Sequence, residues 1–108
     1  MIDTQLKRGL LEISVLSVLN KGSSHGYQII KDISPYIEIS ESTLYPILRR
    51  LESAGCLVVH SVEHNGRLRK IYDITPLGTE RIGEFLDSWR EVMRVYNYIE
   101  EGWNNGQI

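Results

Sequence analysis

The sequence is poor in cysteine. Cys56 is the single one in 108 residues. One thiol cannot close an internal disulfide, so no disulfide framework holds this chain and a reducing compartment is expected. Long apolar runs are missing too. Nothing nears the ~20 apolar residues that span a bilayer. Lys7 and Arg8 precede an apolar stretch, but Glu12, Ser14 and Ser17 interrupt it and no small-residue cleavage pattern follows. No secretory leader is therefore expected, and a cytoplasmic location is the default expectation, with no membrane partner. There is no overall basic excess. The formal net charge is −2, which by itself speaks mildly against nucleic acid. Histidine is scarce. His60 and His64 lie four apart across a strand and a turn, and His25 opens a helix. Zinc needs more ligands converging, so no metal is expected. No nucleophile–base arrangement or phosphate loop is present either, so neither an enzyme nor a cofactor is expected.

What is present is a globular composition, 42% hydrophobic and 24% charged. A core this small is marginal and favours oligomerisation. The charge is unevenly placed. Residues 1–40 are neutral, residues 41–70 carry five Lys/Arg against three Asp/Glu, and residues 71–108 carry three against seven. This suggests two jobs in two parts of the chain.

Asp3 or Thr4 can cap a first helix reaching about Asn20, apolar on most sides and so in need of cover from more than one direction. A second helix is expected from about Ser24 to Ser34, with Tyr27, Ile30 and Ile33 on one face, ended by Pro35. A third begins at Ser40 or Ser42, carries Pro46 about one turn in, and stops at Gly55. The period then changes to two. Leu57–Glu63 and Arg67–Ile74 read as strands joined by His64, Asn65 and Gly66, and Asn-Gly is a strong hairpin signal. This order is that of a winged helix-turn-helix.

Thr75 and Pro76 open a fourth helix. Ile82, Phe85, Trp89, Val92, Tyr96, Ile99 and Trp103 follow at alternating spacings of three and four, a heptad seam widened by Leu86 and Met93. From Pro76 to Trp103 such a helix is about 42 Å long. The first 74 residues cannot cover it, so a copy on a second chain is the expected partner. The fold class is therefore mainly α with a small β-hairpin: a winged helix-turn-helix over residues 1–74 and a dimerisation helix over 75–108.

The third helix divides its surface. Leu44, Ile47, Leu48 and Leu51 share one arc, while Ser42, Tyr45, Pro46 and Arg49 point away from it, with Thr43 and Arg50 on a flank. Such a face can read DNA through hydroxyls on phosphates and arginine on guanine. It can also be an ordinary solvated face. The hairpin tip carries Arg67, Arg69 and Lys70, suited to the minor groove or the phosphate backbone. An edge strand protected by charge is the plainer alternative.

Three segments, "HGYQIIKDI", "STLYPILRRLESAGCL" and "GRLRKIYDITPLG", resemble the PadR family of bacterial transcriptional regulators. The match runs in order from residue 8 to about 78, and the single C-terminal helix is similar to the short-tailed subgroup. The resemblance implies a homodimeric winged-helix repressor on a roughly palindromic double-stranded DNA operator. It implies Ser42, Thr43, Tyr45 and Arg49 on the DNA face, Tyr27 near phosphate or supporting that face, and Arg67 and Lys70 in the wing. Leu68 stands where the family often has proline, and Ile71 where it often has a second aromatic.

Leu10, Ile82, Phe85, Leu86, Trp89, Val92, Met93, Tyr96 and Ile99 are the expected dimer contacts. In some relatives aromatic side chains at the dimer interface bind flat hydrophobic effectors. That makes Trp89, Met93 and Tyr96 candidates for a small hydrophobic or phenolic ligand, although packing is the favoured reading of Trp89. Cys56 reads as a small buried apolar residue. Two rival functions remain: a winged-helix module that binds protein without specific DNA binding, and a ligand-binding protein whose main site is the dimer seam.

Overall fold

A computed structural model describes residues 2–106. The outermost residues of the two expected segments, Met1, Gln107 and Ile108, lie outside the described residues. Helix α1 spans Thr4–Asn20. Asp3, not Thr4, caps it, its carboxylate accepting from the N–H groups of Gln5 and Leu6 at 3.1 and 3.4 Å. Leu11, Val15, Leu16 and Leu19 are buried, and α1 meets the next two helices, the second strand and the last helix, which is the many-sided cover its apolar surface requires.

Helix α2 runs over Gly26–Ile33. It starts later than expected, for a tertiary reason. Ser24 is drawn into a two-way backbone bridge with Tyr72 (3.1 and 2.8 Å), so it cannot open the helix. His25 caps it instead, its Nδ1 accepting from the Gln28 N–H at 3.4 Å. The buried face is Gly26, Ile29 and Ile33. Ile30 packs only at the margin and Tyr27 is 64% exposed, so of the three residues expected on one face Ile33 alone is buried. Packing between α1 and α3 turns the helix by about one residue relative to the sequence-based expectation.

Helix α3 spans Glu41–Ser53, with Leu44, Ile47, Leu48 and Leu51 buried as their spacing predicts. Ser40 occupies the capping position but makes no capping bond. Its hydroxyl is engaged with those of Ser42 and Thr43 at 3.0 and 3.2 Å. Gly55 follows at φ +77°, the left-handed geometry that ends a helix.

Strands β1 (Leu57–His64) and β2 (Arg67–Ile74) pair antiparallel, from Leu57 opposite Ile74 to His64 opposite Arg67. Asn65 and Gly66 have φ of +52° and +79°, the paired left-handed geometry of a two-residue type I′ turn. Leu57 and Tyr72 are buried, and Val59 and Ile74 pack beside them. Cys56 is fully buried.

Helix α4 spans Pro76–Asn105, 30 residues and so about 45 Å. Trp103 lies in its last turn and is 68% exposed. Only the first turns of α4 meet the head: Gly78 is buried and Ile82 packs on the core. From Glu91 to Gly106 every side chain is exposed. That projecting helix gives the molecule extents of 66 × 26 × 20 Å.

Candidate nucleic-acid interface

With the apolar arc of α3 sealed against the core, its opposite face is presented outward. Ser42, Thr43 and Arg49 are exposed, and Pro46 is half-buried between them and the core. The two arginines are distinguished by their partners. Arg50 donates from Nε to Glu12 Oε1 at 3.1 Å and forms an ion pair with it, so it ties α3 to α1. Among the described residues Arg49 pairs with no carboxylate, which leaves its guanidinium available.

Tyr45 departs from the expected geometry. It does not stand straight out beside Arg49 but leans along the flank toward α2. A Cβ at Gly26 would sit 2.7 Å from the Tyr45 hydroxyl, so the absence of a side chain at 26 is what lets the phenol lie against the start of α2.

Between α2, α3 and the hairpin lies a cleft of about 550 Å³. Its walls include His25, Tyr27, Tyr45, Arg67, Arg69 and Lys70, with His64 near the turn and Tyr72 behind. No aspartate or glutamate lines it. Three permanent cations and two histidines around a concavity with no carboxylate in its lining give it a positive potential. Burial first, and then the nearby Arg69 and His64, hold the His25 imidazole below its ordinary pKa. Its Nδ1 therefore stays an acceptor for the Gln28 N–H, and its other ring nitrogen carries the proton. Phosphate oxygens entering the cleft would meet donors from three elements at once.

The structure thus brings Tyr27, Tyr45, Arg67, Arg69 and Lys70 to one cleft, and Ser42, Thr43, Pro46 and Arg49 to the adjoining helix face. His25, His64 and Gly26 belong to the same place and were not among the residues singled out for DNA. The available signal was the Asn-Gly turn, which folds His64 back over the start of α2.

The second group of candidates lies elsewhere. Leu10, Ile82, Phe85 and Trp89 are half-buried, and the rings of Phe85 and Trp89 stack with centroids 5.6 Å apart. Leu86, Val92, Met93, Tyr96 and Ile99 are exposed along α4. Val92, Val95, Tyr96 and Ile99 line a shallow apolar groove that Trp89 and Met93 do not enter, so one protomer does not gather Trp89, Met93 and Tyr96 into a single pocket. Among the described residues no group of three His, Cys, Asp or Glu side chains is placed to hold a metal, and no helix is long and apolar enough to cross a membrane.

Three helices, a two-stranded wing and an outward-facing third helix define a winged helix-turn-helix protein. Residues 15–84 match the model of the PadR-like family of transcriptional regulators, and the chain belongs to that family. A transcriptional regulator of Mycobacterium tuberculosis, Rv3488, is 30% identical over 91 residues, covering 83% of this chain and 85% of its own. A transcriptional regulator from Clostridium thermocellum is similar in structure, with a TM-score of 0.81, 32% identity, and coverage of 90% of this chain and 96% of the other. A PadR-like transcription factor from Bacteroides fragilis gives a TM-score of 0.78 at 33% identity, covering 89% and 95%. The chain is a transcriptional regulator of this family, and these relatives are regulators of transcription.

Proposed function

We propose that the protein is a homodimeric repressor that binds a specific double-stranded DNA operator in the cytoplasm. Residues 1–74 serve as the DNA-reading head and residues 75–108 as the dimerisation helix. The observation that carries this reading is the carboxylate-free cationic cleft beside the exposed face of α3, in a chain whose net charge is −2. Positive charge is concentrated where a recognition helix would need phosphates on its flank.

Arg49 and Ser42 would meet base edges and backbone in the major groove. Thr43 and Pro46 would border that contact, and Tyr27, Tyr45, Arg67, Arg69 and Lys70 would hold the phosphates beside it. Two copies joined along Leu10 and the α4 seam would present their α3 helices ~34 Å apart, one turn of the duplex. A small hydrophobic or phenolic effector at Trp89, Met93 and Tyr96, in a site completed by the second copy, would release the operator.

Selection of bound sequences from random DNA tests the reading. It should return a two-fold motif with half-sites one turn apart, bound with steep salt dependence. A folded dimer that selects no motif and shows no salt-sensitive binding would favour the rival, a protein-binding module on the same scaffold.

A further inference from the structure

The junction between head and tail helix is closed by main chain. The Thr75 N–H donates to the Cys56 carbonyl at 3.1 Å. The Thr75 hydroxyl donates to the Gly55 carbonyl at 2.6 Å and accepts from the Gly78 N–H at 3.2 Å. Gly78 lies flat against the same turn. A Cβ there would overlap the Cys56 carbonyl oxygen and crowd Ile74. Glycine weakens a helix relative to alanine, and Gly78 is not in left-handed geometry, so the close approach is what calls for it. The opposing atom cannot swing aside as a side-chain tip would. It belongs to a turn held by the Cys56 N–H on the Leu51 carbonyl at 2.9 Å. One residue further on, Thr79 meets Asn20 of α1 at 3.5 Å.

We infer that Gly78, with Thr75, is a positioning residue pair that fixes the angle between α4 and the head, and so sets the separation at which a dimer presents its two recognition helices. This rests on the proposed dimeric DNA-binding function. An added methyl must open the contact by ~1 Å within one 5.4 Å helical turn, a tilt of roughly 10°. The end of α3 adjoins this junction, while its start at Glu41 lies ~18 Å further along the helix; there a ~10° tilt moves the helix by about 3 Å, enough to spoil a spacing matched to one turn of DNA.

The test is a distance measured between the two copies of the full-length dimer. A spin label at Glu41→Cys, at the exposed start of α3 and so at the end far from the junction, is read by pulsed dipolar spectroscopy with the buried Cys56 left in place. The otherwise wild-type dimer should show one narrow distance. Adding Gly78→Ala should shift it by about 3 Å or broaden it, leave sedimentation as a dimer unchanged, and lower affinity for the selected operator at least tenfold while non-specific binding persists. A folded Gly78→Ala dimer with the same distance, width and operator affinity would overturn the inference. So would a broad distance in the unmodified junction. If Gly78→Ala does not fold, Thr75→Val removes both hydroxyl bonds and should broaden the distance; an unchanged width overturns the claim equally. A narrow distance that shifts with Gly78→Ala, in a dimer that binds no DNA, would sustain the junction and sink the DNA reading instead.

Discussion

Ile99→Ala isolates the proposed interface from the fold. In the single chain Ile99 is 60% exposed, on a stretch of α4 that touches nothing in the head. The substitution deletes three side-chain carbons, worth about 0.8 kcal/mol each when fully buried. Since somewhat more than half of that burial would come from the partner, the loss is about 1.5 kcal/mol per copy and about 3 kcal/mol for a symmetric pair. At 1.4 kcal/mol per decade, the dimer dissociation constant should rise roughly a hundredfold. The monomer should lose nothing, because alanine is the better helix former and no core contact is removed. Sedimentation equilibrium over a wide concentration range reads the constant, and thermal unfolding at low concentration reads the monomer. A dissociation constant within threefold of wild type would refute the seam as the interface. A lower unfolding midpoint where monomers dominate would show that Ile99 serves the fold instead.

Arg49→Ala should weaken binding to the selected operator by about 1–3 kcal/mol while sparing random DNA, whereas Lys70→Ala should weaken all sequences alike and reduce the salt slope by about one; titrations at several salt concentrations distinguish the two, and equal losses on every sequence for Arg49→Ala would remove its base-reading role. Gly26→Ala meets only the tip of a flexible side chain, so the unfolding midpoint should hold within ~3 °C, while displacing the Tyr45 hydroxyl should cost about one hydrogen bond, or roughly tenfold, in operator affinity; undiminished affinity would show that Tyr45 does not need that seat. The folded-state pKa of His25 is lowered, chiefly by burial and then by Arg69 and His64, so the stability it contributes is complete above its ordinary value near 6.5 and is lost as pH falls through the lowered one. His25→Asn keeps a capping acceptor without the titration, so denaturant melts of this variant should fall less steeply below pH 6.5 than those of the wild type; parallel decline in both proteins would exonerate His25.

Local signals in this chain were legible where one element decides them. The Asn65–Gly66 turn, the Gly55 stop, the apolar arc of α3 and the start of α4 at Thr75 and Pro76 all depend on nearby residues, and the structure has each where the sequence places it. Legibility failed where distant segments compete. Ser24 has good capping chemistry, but Tyr72 claims its backbone and His25 caps in its place. Tyr27 shares helical spacing with Ile30 and Ile33, yet the wedge between α1 and α3 accepts Ile29 instead. Gly26 and Gly78 look like ordinary glycines in a helical pattern. Their purpose lies in the Tyr45 ring and the Cys56 carbonyl, which approach from elsewhere in the chain. The DNA-facing candidates on α3 followed from its period, while the histidines of the cleft required the hairpin to fold back before their surroundings existed.

The tail helix carries six carboxylates against three arginines, and two of those arginines are tied to Asp87 and Glu91 one turn away. The cleft at the opposite end has none to offset its cations. The molecule is therefore an electrical dipole along its long axis. A polyanion approached from any direction would turn it, repelling the stalk and drawing in the wing before a single base is touched. For a chain that binds DNA as proposed, an acidic overall balance would act as a compass that discards wrong orientations.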